Sequence, residues 1–371
     1  MNRANVRYND GKADRFACRR QFRRAFATRS GQLMLGVLSL LGMAALIPAT
    51  ALAQTTILRT QTGSPGTTGF VFTTALQTVL QKHLPVQLNV TSGQAATRST
   101  LDAARGNADL FTSSPAINHY MSKGIQMYKD MKDAPKLFDD NVRGILNYPL
   151  GPYHILAYES TGIRTLEDMR GKKGFIGPPG GAATVVALGI IEGITGMKPN
   201  VDYQQAKLDW TSGAQAFQDR QVDFAIIPTE LPSPQVTQFA LADKLRLISL
   251  PANAGESEQM KSILSTPGRT IMEIPVGVYG ANQVNTEPVR AVGSYIGLST
   301  RTSLDEQLVY DITRAIFENI GDFHAAAPFL KVITKDTALD QMNGWLHKGA
   351  LRYYREIGVK VDPALVPPEA R

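Results

Sequence analysis

The residue types that usually do chemistry are sparse in this chain. Five histidines, His83, His119, His154, His324 and His347, are scattered, and none stands at metal-ligand spacing from another histidine or a cysteine. The single cysteine is Cys18. No Gly-x-Ser-x-Gly turn presents a serine nucleophile. The adjacent carboxylates Asp139-Asp140 and Glu167-Asp168 fall in segments that read as exposed. Two glycine-rich turns remain. Gly63-Ser64-Pro65-Gly66 leads into Thr67-Thr68, and Gly177-Pro178-Pro179-Gly180 leads into Gly181-Ala182-Ala183-Thr184. Neither is a P-loop or a Gly-x-Gly-x-x-Gly dinucleotide turn. Each lies between a strand-like run and a helix-like run. In that order the first backbone N–H groups of the helix have no intrahelical acceptor and face the turn, at the positive end of the helix dipole. Such a turn is either a plain βα corner of an α/β domain or, beyond that, a site for an anion, and it carries no catalytic group of its own.

The elements that position these turns recur at one spacing. Gly177 follows Gly63 by 114 residues (177 − 63), and Asp223 of Arg220-Gln221-Val222-Asp223-Phe224 follows Asp109 of Gly106-Asn107-Ala108-Asp109-Leu110 by the same 114. The common offset predicts two α/β units of similar construction that aim two helix N-termini into one cleft. In the first unit, residues 57–60 read as a strand. Val71, Phe72, Ala75, Leu76, Val79 and Leu80 then give a helix one apolar face, with Thr67 or Thr68 as its side-chain cap. A strand over 86–90 follows, then Thr91-Ser92-Gly93 opening a helix that runs to Arg105, and a strand over 108–111 ending in Thr112-Ser113-Ser114. This rhythm predicts a parallel sheet with its ligand site at the carboxyl ends of the strands, where Thr67, Thr68, Ser92, Ser113 and Ser114 collect.

The segment around Tyr120, Tyr128 and Pro135 reads as surface helices. Strands over 142–146 and 153–158 flank Pro149-Leu150-Gly151-Pro152, which marks a first crossing between lobes. The second unit reads as a strand over 173–176, helices over 182–193 and 210–221, and strands over 222–227 and 245–250. Segments 275–279 and 289–298 return the chain to the first lobe. The remainder, 305–358, is helical, with an apolar stripe of Leu308, Ile312, Ala315, Ile316 and Ile320 that packs on the first lobe. Arg352-Tyr353-Tyr354-Arg355-Glu356 reads as a helix surface.

Residues 1–53 read as a secretory signal peptide: arginines at 19, 20, 23, 24 and 29, an apolar run over 33–47, and Ala51-Leu52-Ala53 as the cleavage site. The run is shorter than the roughly 20 residues a membrane span needs. Export to the periplasm, with a mature start at Gln54, is therefore expected. This segment holds nine of the 39 basic and two of the 32 acidic residues, so the mature chain carries 30 of each. The excess positive charge belongs to the presequence, which removes it as an argument for nucleic acid or acidic membranes. The mature chain has no cysteine, hence no disulfide and no thiolate metal site. No metal and no cofactor is expected.

Taken together these motifs resemble the TAXI family, the solute receptors of one class of tripartite ATP-independent periplasmic (TRAP) transporters. Gly63-Ser64-Pro65-Gly66 with Gly69 is similar to the family's glycine-rich opening. Gly106-Asn107-Ala108-Asp109-Leu110 is similar to its G-E-A-D-L, and Gly177-Pro178-Pro179-Gly180 to its G-A-P-G. Leu308-Val309-Tyr310, Ala315-Ile316-Phe317-Glu318-Asn319 and Leu346-His347-Lys348-Gly349-Ala350 are similar to its C-terminal part. The resemblance implies a type II periplasmic-binding-protein fold: two α/β lobes joined by a hinge with a ligand cleft between them, here 54–150 plus 285–371 and 151–284. It implies a monomeric receptor, not an enzyme, that captures a small carboxylate of glutamate-like, 2-oxoacid or dicarboxylate type and delivers it to the membrane subunits of a TRAP transporter. Carried over by position, the ligand-binding residues are Gly66, Thr67, Thr68, Phe72, Ser92, Gly93 and Ser113 in the first lobe and Gly180, Gly181 and Thr184 in the second. The alternatives are the receptor of an ATP-driven importer of sulfonate, nitrate or a thiamine precursor, and, third, a periplasmic enzyme or sensor on the same scaffold.

Two departures bear on the ligand. Phe70-Val71-Phe72 stands where many members have Tyr-Tyr, and Gly181-Ala182-Ala183-Thr184 where many have hydroxyls and a basic residue. Both point to a less polar ligand. No arginine marks itself as the anchor, since Arg59 lies in a strand and Arg98 and Arg105 lie on a helix that needs a solvated face. Backbone N–H groups and hydroxyls at Gly66-Thr67-Thr68 and Gly180-Gly181 are therefore expected to hold the anion.

Overall fold

The computed structural model describes residues 55–371; the predicted signal peptide and its cleavage site lie outside the described residues. Strand β1 (Thr56–Gln61) buries Leu58 and Thr60 and turns Ile57 and Arg59 outward, the alternation of a strand covered on one face. Helix α1 (Thr68–His83) lays Phe72, Leu76, Val79 and Leu80 on that covered face. Each such side chain contributes about 1.5–3 kcal/mol on burial. Strand β2 (Val86–Thr91) pairs parallel to β1 on one side, and after α2 (Ala96–Ala104) strand β3 (Leu110–Ser113) pairs parallel to β1 on the other. Helices α3 (Pro115–Lys123) and α4 (Ala134–Asn141) lead into the long strand β4 (Val142–Tyr158).

The second unit repeats the first: β5 (Lys173–Phe175), α5 (Ala182–Thr195), β6 (Gln204–Gln205), α6 (Trp210–Gln218) and β7 (Phe224–Pro228), with β5 parallel to both β6 and β7. Helices α1 and α5 start at Thr68 and Ala182, α2 and α6 at Ala96 and Trp210, and β3 and β7 at Leu110 and Phe224, each pair separated by the 114 residues expected from the sequence motifs. Helix α7 (Pro234–Ala242), strand β8 (Leu245–Leu247), helix α8 (Glu258–Ser265) and strand β9 (Arg269–Ile274) complete this half. Strand β10 (Val289–Arg301) then runs back, and α9 (Glu306–Glu318), α10 (Ile320–Ala326) and α11 (Lys348–Glu356) pack on the α1 side of the first sheet.

The sheet order is β2-β1-β3-β10-β4 in the first half and β6-β5-β7-β4-β8 in the second. In both, three parallel strands in the order second, first, third meet an antiparallel strand that arrives from elsewhere in the chain. This is the type II periplasmic-binding-protein arrangement: two α/β lobes, joined by β4 and β10. Strand β4 is continuous through Pro149-Leu150-Gly151-Pro152, where the sequence suggested two strands with a break. The pairing of β4 with β10 shifts here, Ser294 opposite Gly151 and Tyr295 opposite Pro149, so that Leu150 is the extra residue of a bulge, a place where a strand tolerates prolines that lack an N–H. Gly151 is required there: its φ is 123°, and a Cβ would lie 2.1 Å from the Thr229 carbonyl oxygen.

Two expected surfaces are interior. Tyr120, Tyr128 and Phe138, from the segment read as surface helices, form a core of their own with Met121 and Phe111. Tyr353 and Tyr354 on α11 are buried against Phe317, and the face presented to solvent is that of Arg352 and Arg355.

The repeated aspartate is a structural clamp. The Asp109 carboxylate accepts the Arg59 N–H at 2.9 Å, and the Asp109 N–H donates to the Arg59 carbonyl at 2.8 Å. Asp223 and Lys173 make the same pair at 2.8 and 2.7 Å. Asp109 also accepts from the guanidinium of Arg59 (2.8 Å) and from Nε of Arg301 (2.8 Å). Burial works to raise its pKa, but the bonds from Arg59 and Arg301 prevail and bring it to about 2. With Arg59 half exposed, the ion pair itself is partly screened. Asp109→Asn is expected to cost about 1–3 kcal/mol at pH 7. Because the folded-state pKa is depressed below 3.8, that stabilisation is present above about pH 4 and is lost as pH falls towards about 2. Urea unfolding of parent and variant should therefore differ at pH 7 and converge near pH 2.

Candidate functional site

A cavity of about 490 Å³ lies between the lobes. Its first-lobe wall is the turn Gly63 to Gly69, the stretch Gln94 to Thr97, and Thr112 and Ser114. Its second-lobe wall comes from Pro178, Gly181 to Ala183, helix α6 and the start of α7, and its floor from Leu150, Tyr153 and Ser294 to Ile296 on the crossing strands. The ligand site of an open parallel sheet is expected at the strand carboxyl ends, and this is where the cavity opens.

Three helices begin at this cavity without a side-chain cap. Helix α1 starts after Thr67, α2 after Ala95 and α5 after Gly181, and none has an acidic residue in its first turn. Their leading amides at Thr68 and Gly69, Ala96 and Thr97, and Ala182 and Ala183 border the cavity. By contrast α3, α6 and α7 are capped by Ser114, Asp209 and Ser233. The cap expected from Thr67 or Thr68 is absent because both hydroxyls are used elsewhere. Thr67 Oγ1 donates to the Ser64 carbonyl at 2.7 Å and Thr184 Oγ1 to the Pro178 carbonyl at 2.6 Å, so the two hydroxyls brace the two glycine turns in the same way. Thr68 Oγ1 donates across the cleft to Glu230, which also accepts from Thr229 Oγ1 at 2.6 Å.

Of the expected ligand residues, Gly66, Thr67, Thr68 and Gly181 line the cavity. Gly180 is exposed in the second turn beside it, with φ 72°. Thr184 is buried behind that turn. Phe72 does not reach the cavity: it is fully buried, stacked on Tyr148 at 4.8 Å and edge-on to Phe323 at 5.2 Å. Its place on the core face of α1 follows from the same periodicity that marked the helix. Ser113 is also buried, its hydroxyl held between Thr100 and Asn118 at 2.9 Å each. Ser92 and Gly93 are exposed ahead of α2, which starts three residues later than expected, and Ala95 to Thr97 take the place at the cavity.

The residue that sequence reading missed is Arg269. It begins β9, is 8% exposed, and lines the cavity with its guanidinium 5.3 Å over the ring of Tyr153. Its Nε is buried with no hydrogen-bond partner among the described residues. Among the described residues that line the cavity it is the one charged side chain. The signal available in the sequence was the turn Thr266-Pro267-Gly268 ahead of a β-prone run, Thr270 to Ile274. A buried cation without a counter-ion is costly, and an anionic ligand would relieve it.

The wall carrying Thr229 is positioned by a buried polar chain. His154 is fully buried, and burial holds its pKa down at about 4 against the raising effect of backbone hydrogen bonds. The neutral ring donates from Nδ1 to the Pro152 carbonyl (3.0 Å) and accepts at Nε2 from Tyr279 (2.6 Å). The Tyr279 oxygen receives the Ser233 N–H at 3.3 Å, and the Ser233 hydroxyl lies 3.1 Å from that of Thr229. Among the described residues, no helix is long and apolar enough to cross a membrane, and no cluster of His, Cys, Asp and Glu is arranged to hold a metal.

Among solved structures, the chain is similar to a binding protein component of an ABC phosphonate transporter from Pseudomonas aeruginosa, at 12% identity over 75% of this chain and 80% of that one, with a TM-score of 0.49. It is similar to the alkanesulfonate-binding protein SsuA from Xanthomonas axonopodis pv. citri bound to MOPS, at 14% identity over 84% and 82%, TM-score 0.40. It is also similar to the sugar acid binding protein DctPAm from Advenella mimigardefordensis in complex with galactonate, at 13% identity over 83% and 86%, TM-score 0.43. The model of the NMT1-like family matches residues 60–358, and the chain belongs to the NMT1-like family.

Proposed function

We propose that this chain is a periplasmic solute receptor that closes on a small organic anion and presents it to the membrane subunits of a transporter. The observation that carries the reading is Arg269, a buried guanidinium with an unbonded Nε and no carboxylate partner among the described residues, facing a cavity onto which three uncapped helix N-termini open. Binding without catalysis is part of this proposal. The resemblance of the sequence to TAXI receptors favours TRAP subunits as the partner and a carboxylate as the ligand. The hinge of this reading lies where β4 and β10 cross between the lobes, with the lobes bounded as expected from the sequence at 150/151 and 284/285.

A thermal-shift panel of carboxylates, sulfonates and nitrate tests the reading. A bound anion at a hundred times its Kd adds about 2.7 kcal/mol to the folded state, raising the melting temperature of a chain this size by roughly 4 °C. Movement with carboxylates supports the receptor as stated. Movement confined to sulfonates or nitrate transfers the chain to an ATP-driven importer. No movement with any anion removes the anion-receptor reading.

A further inference from the structure

The cavity wall says more about the ligand than that it is an anion. Resting on the receptor reading above, we propose that the ligand is a monoanion with no ammonium group and with a flat apolar body, an arylalkanoate or its sulfonate counterpart. This departs from the glutamate-like and dicarboxylate classes that the family resemblance implies.

The first argument is charge. Among the described residues, Arg269 is the one cation on the wall, and the lining holds no Asp or Glu. A dicarboxylate would bring a second charge for which the wall offers no second counter-ion, only hydroxyls, amides and the backbone N–H groups at the helix starts. An amino acid would bring an ammonium with no carboxylate on the wall to receive it. Glu230, next to Thr229, is 3% exposed, stands outside the lining and is hydrogen-bonded to the hydroxyls of Thr68 and Thr229. A charge taken out of water without a counter-ion in this way lowers affinity by about 100-fold or more.

The second argument is shape and polarity. The cavity volume is within the roughly 300–1,000 Å³ range of sites that enclose drug-sized ligands. The wall contains Trp210, Phe239, Pro234, Ala183 and Ile296. Trp210 is held by the edge-to-face contact with Phe175, centroids 5.5 Å apart and rings at 90°. A ring fixed in this way is a ready stacking surface for a flat apolar group. The exposed residues Gln215, Gln218 and Gln238 border this wall and supply neutral hydrogen-bonding groups around it.

Calorimetric titration of the exported protein with 3-phenylpropanoate, butanoate, phenylsuccinate and phenylalanine decides. The expected order places 3-phenylpropanoate at least roughly tenfold tighter than butanoate, and about 100-fold tighter than phenylsuccinate or phenylalanine. Phenylsuccinate or phenylalanine binding as tightly as 3-phenylpropanoate would overturn the charge argument while leaving the receptor reading standing. Trp210→Ala should weaken 3-phenylpropanoate by about tenfold more than it weakens butanoate. Equal loss for both, or for neither, would overturn the apolar-body argument. If nothing in this set or in the thermal-shift panel binds, the receptor reading fails, and this inference fails with it.

Discussion

Replacing Arg269 with alanine is expected to lower the affinity for the bound anion by at least about 100-fold, equivalent to about 2.7 kcal/mol. A charge-assisted hydrogen bond contributes about 1.5–3 kcal/mol, and a guanidinium can supply two in parallel to one carboxylate or sulfonate. The free protein should not lose stability to match, because Nε of Arg269 has no protein partner to leave behind. What it forfeits is the contact over Tyr153. Arg269→Lys should recover only part of the affinity, since an ammonium keeps the charge but not the planar fork. Calorimetric titration and denaturant melts of the three proteins separate these effects. Undiminished binding by Arg269→Ala, together with loss in Gly181→Val, would return the anion to the helix termini alone. That glycine variant has a cost of its own, because a Cβ at Gly181 comes within 3.2 Å of the Pro178 carbonyl oxygen and strains the turn.

Phe72→Ala should do the reverse and cost stability instead of affinity. Phe72 is packed between Tyr148 and Phe323 in the core shared by α1, β4 and α10. Truncating a buried phenylalanine costs about 3–5 kcal/mol through lost burial and the cavity left behind. For a chain of this length that corresponds to a fall of roughly 5–8 °C in melting temperature. Among molecules that remain folded, Kd should stay within about threefold of the parent, because the ring does not reach the ligand cavity. A tenfold loss of affinity with an unchanged melting temperature would restore Phe72 to the binding site.

The sequence by itself determined the elements and their repetition. Helices α1 and α5, α2 and α6, and strands β3 and β7 begin 114 residues apart, as the two glycine turns and the two aspartates do. These features are local: a turn that needs glycine, an apolar periodicity, a stretch that needs to stop a helix. They are written in neighbouring residues and can be read there. The convergence of α1 and α5 on one cleft followed from that repetition. Which polar groups are free to meet a ligand was decided by the tertiary structure alone. Thr68 seemed available until the fold brought Glu230, 162 residues away, against its hydroxyl. Ser113 was spent on Thr100 and Asn118. Asp109 was legible as a landmark, but its role as a clamp depends on Arg59 and Arg301 from two other strands. Arg269 shows the limit most directly. It is one of 30 basic residues from Gln54 onward, and what distinguishes it is burial without a carboxylate partner among the described residues. Whether a buried group is satisfied depends on every segment packed around it, and those segments are brought together only when the chain folds.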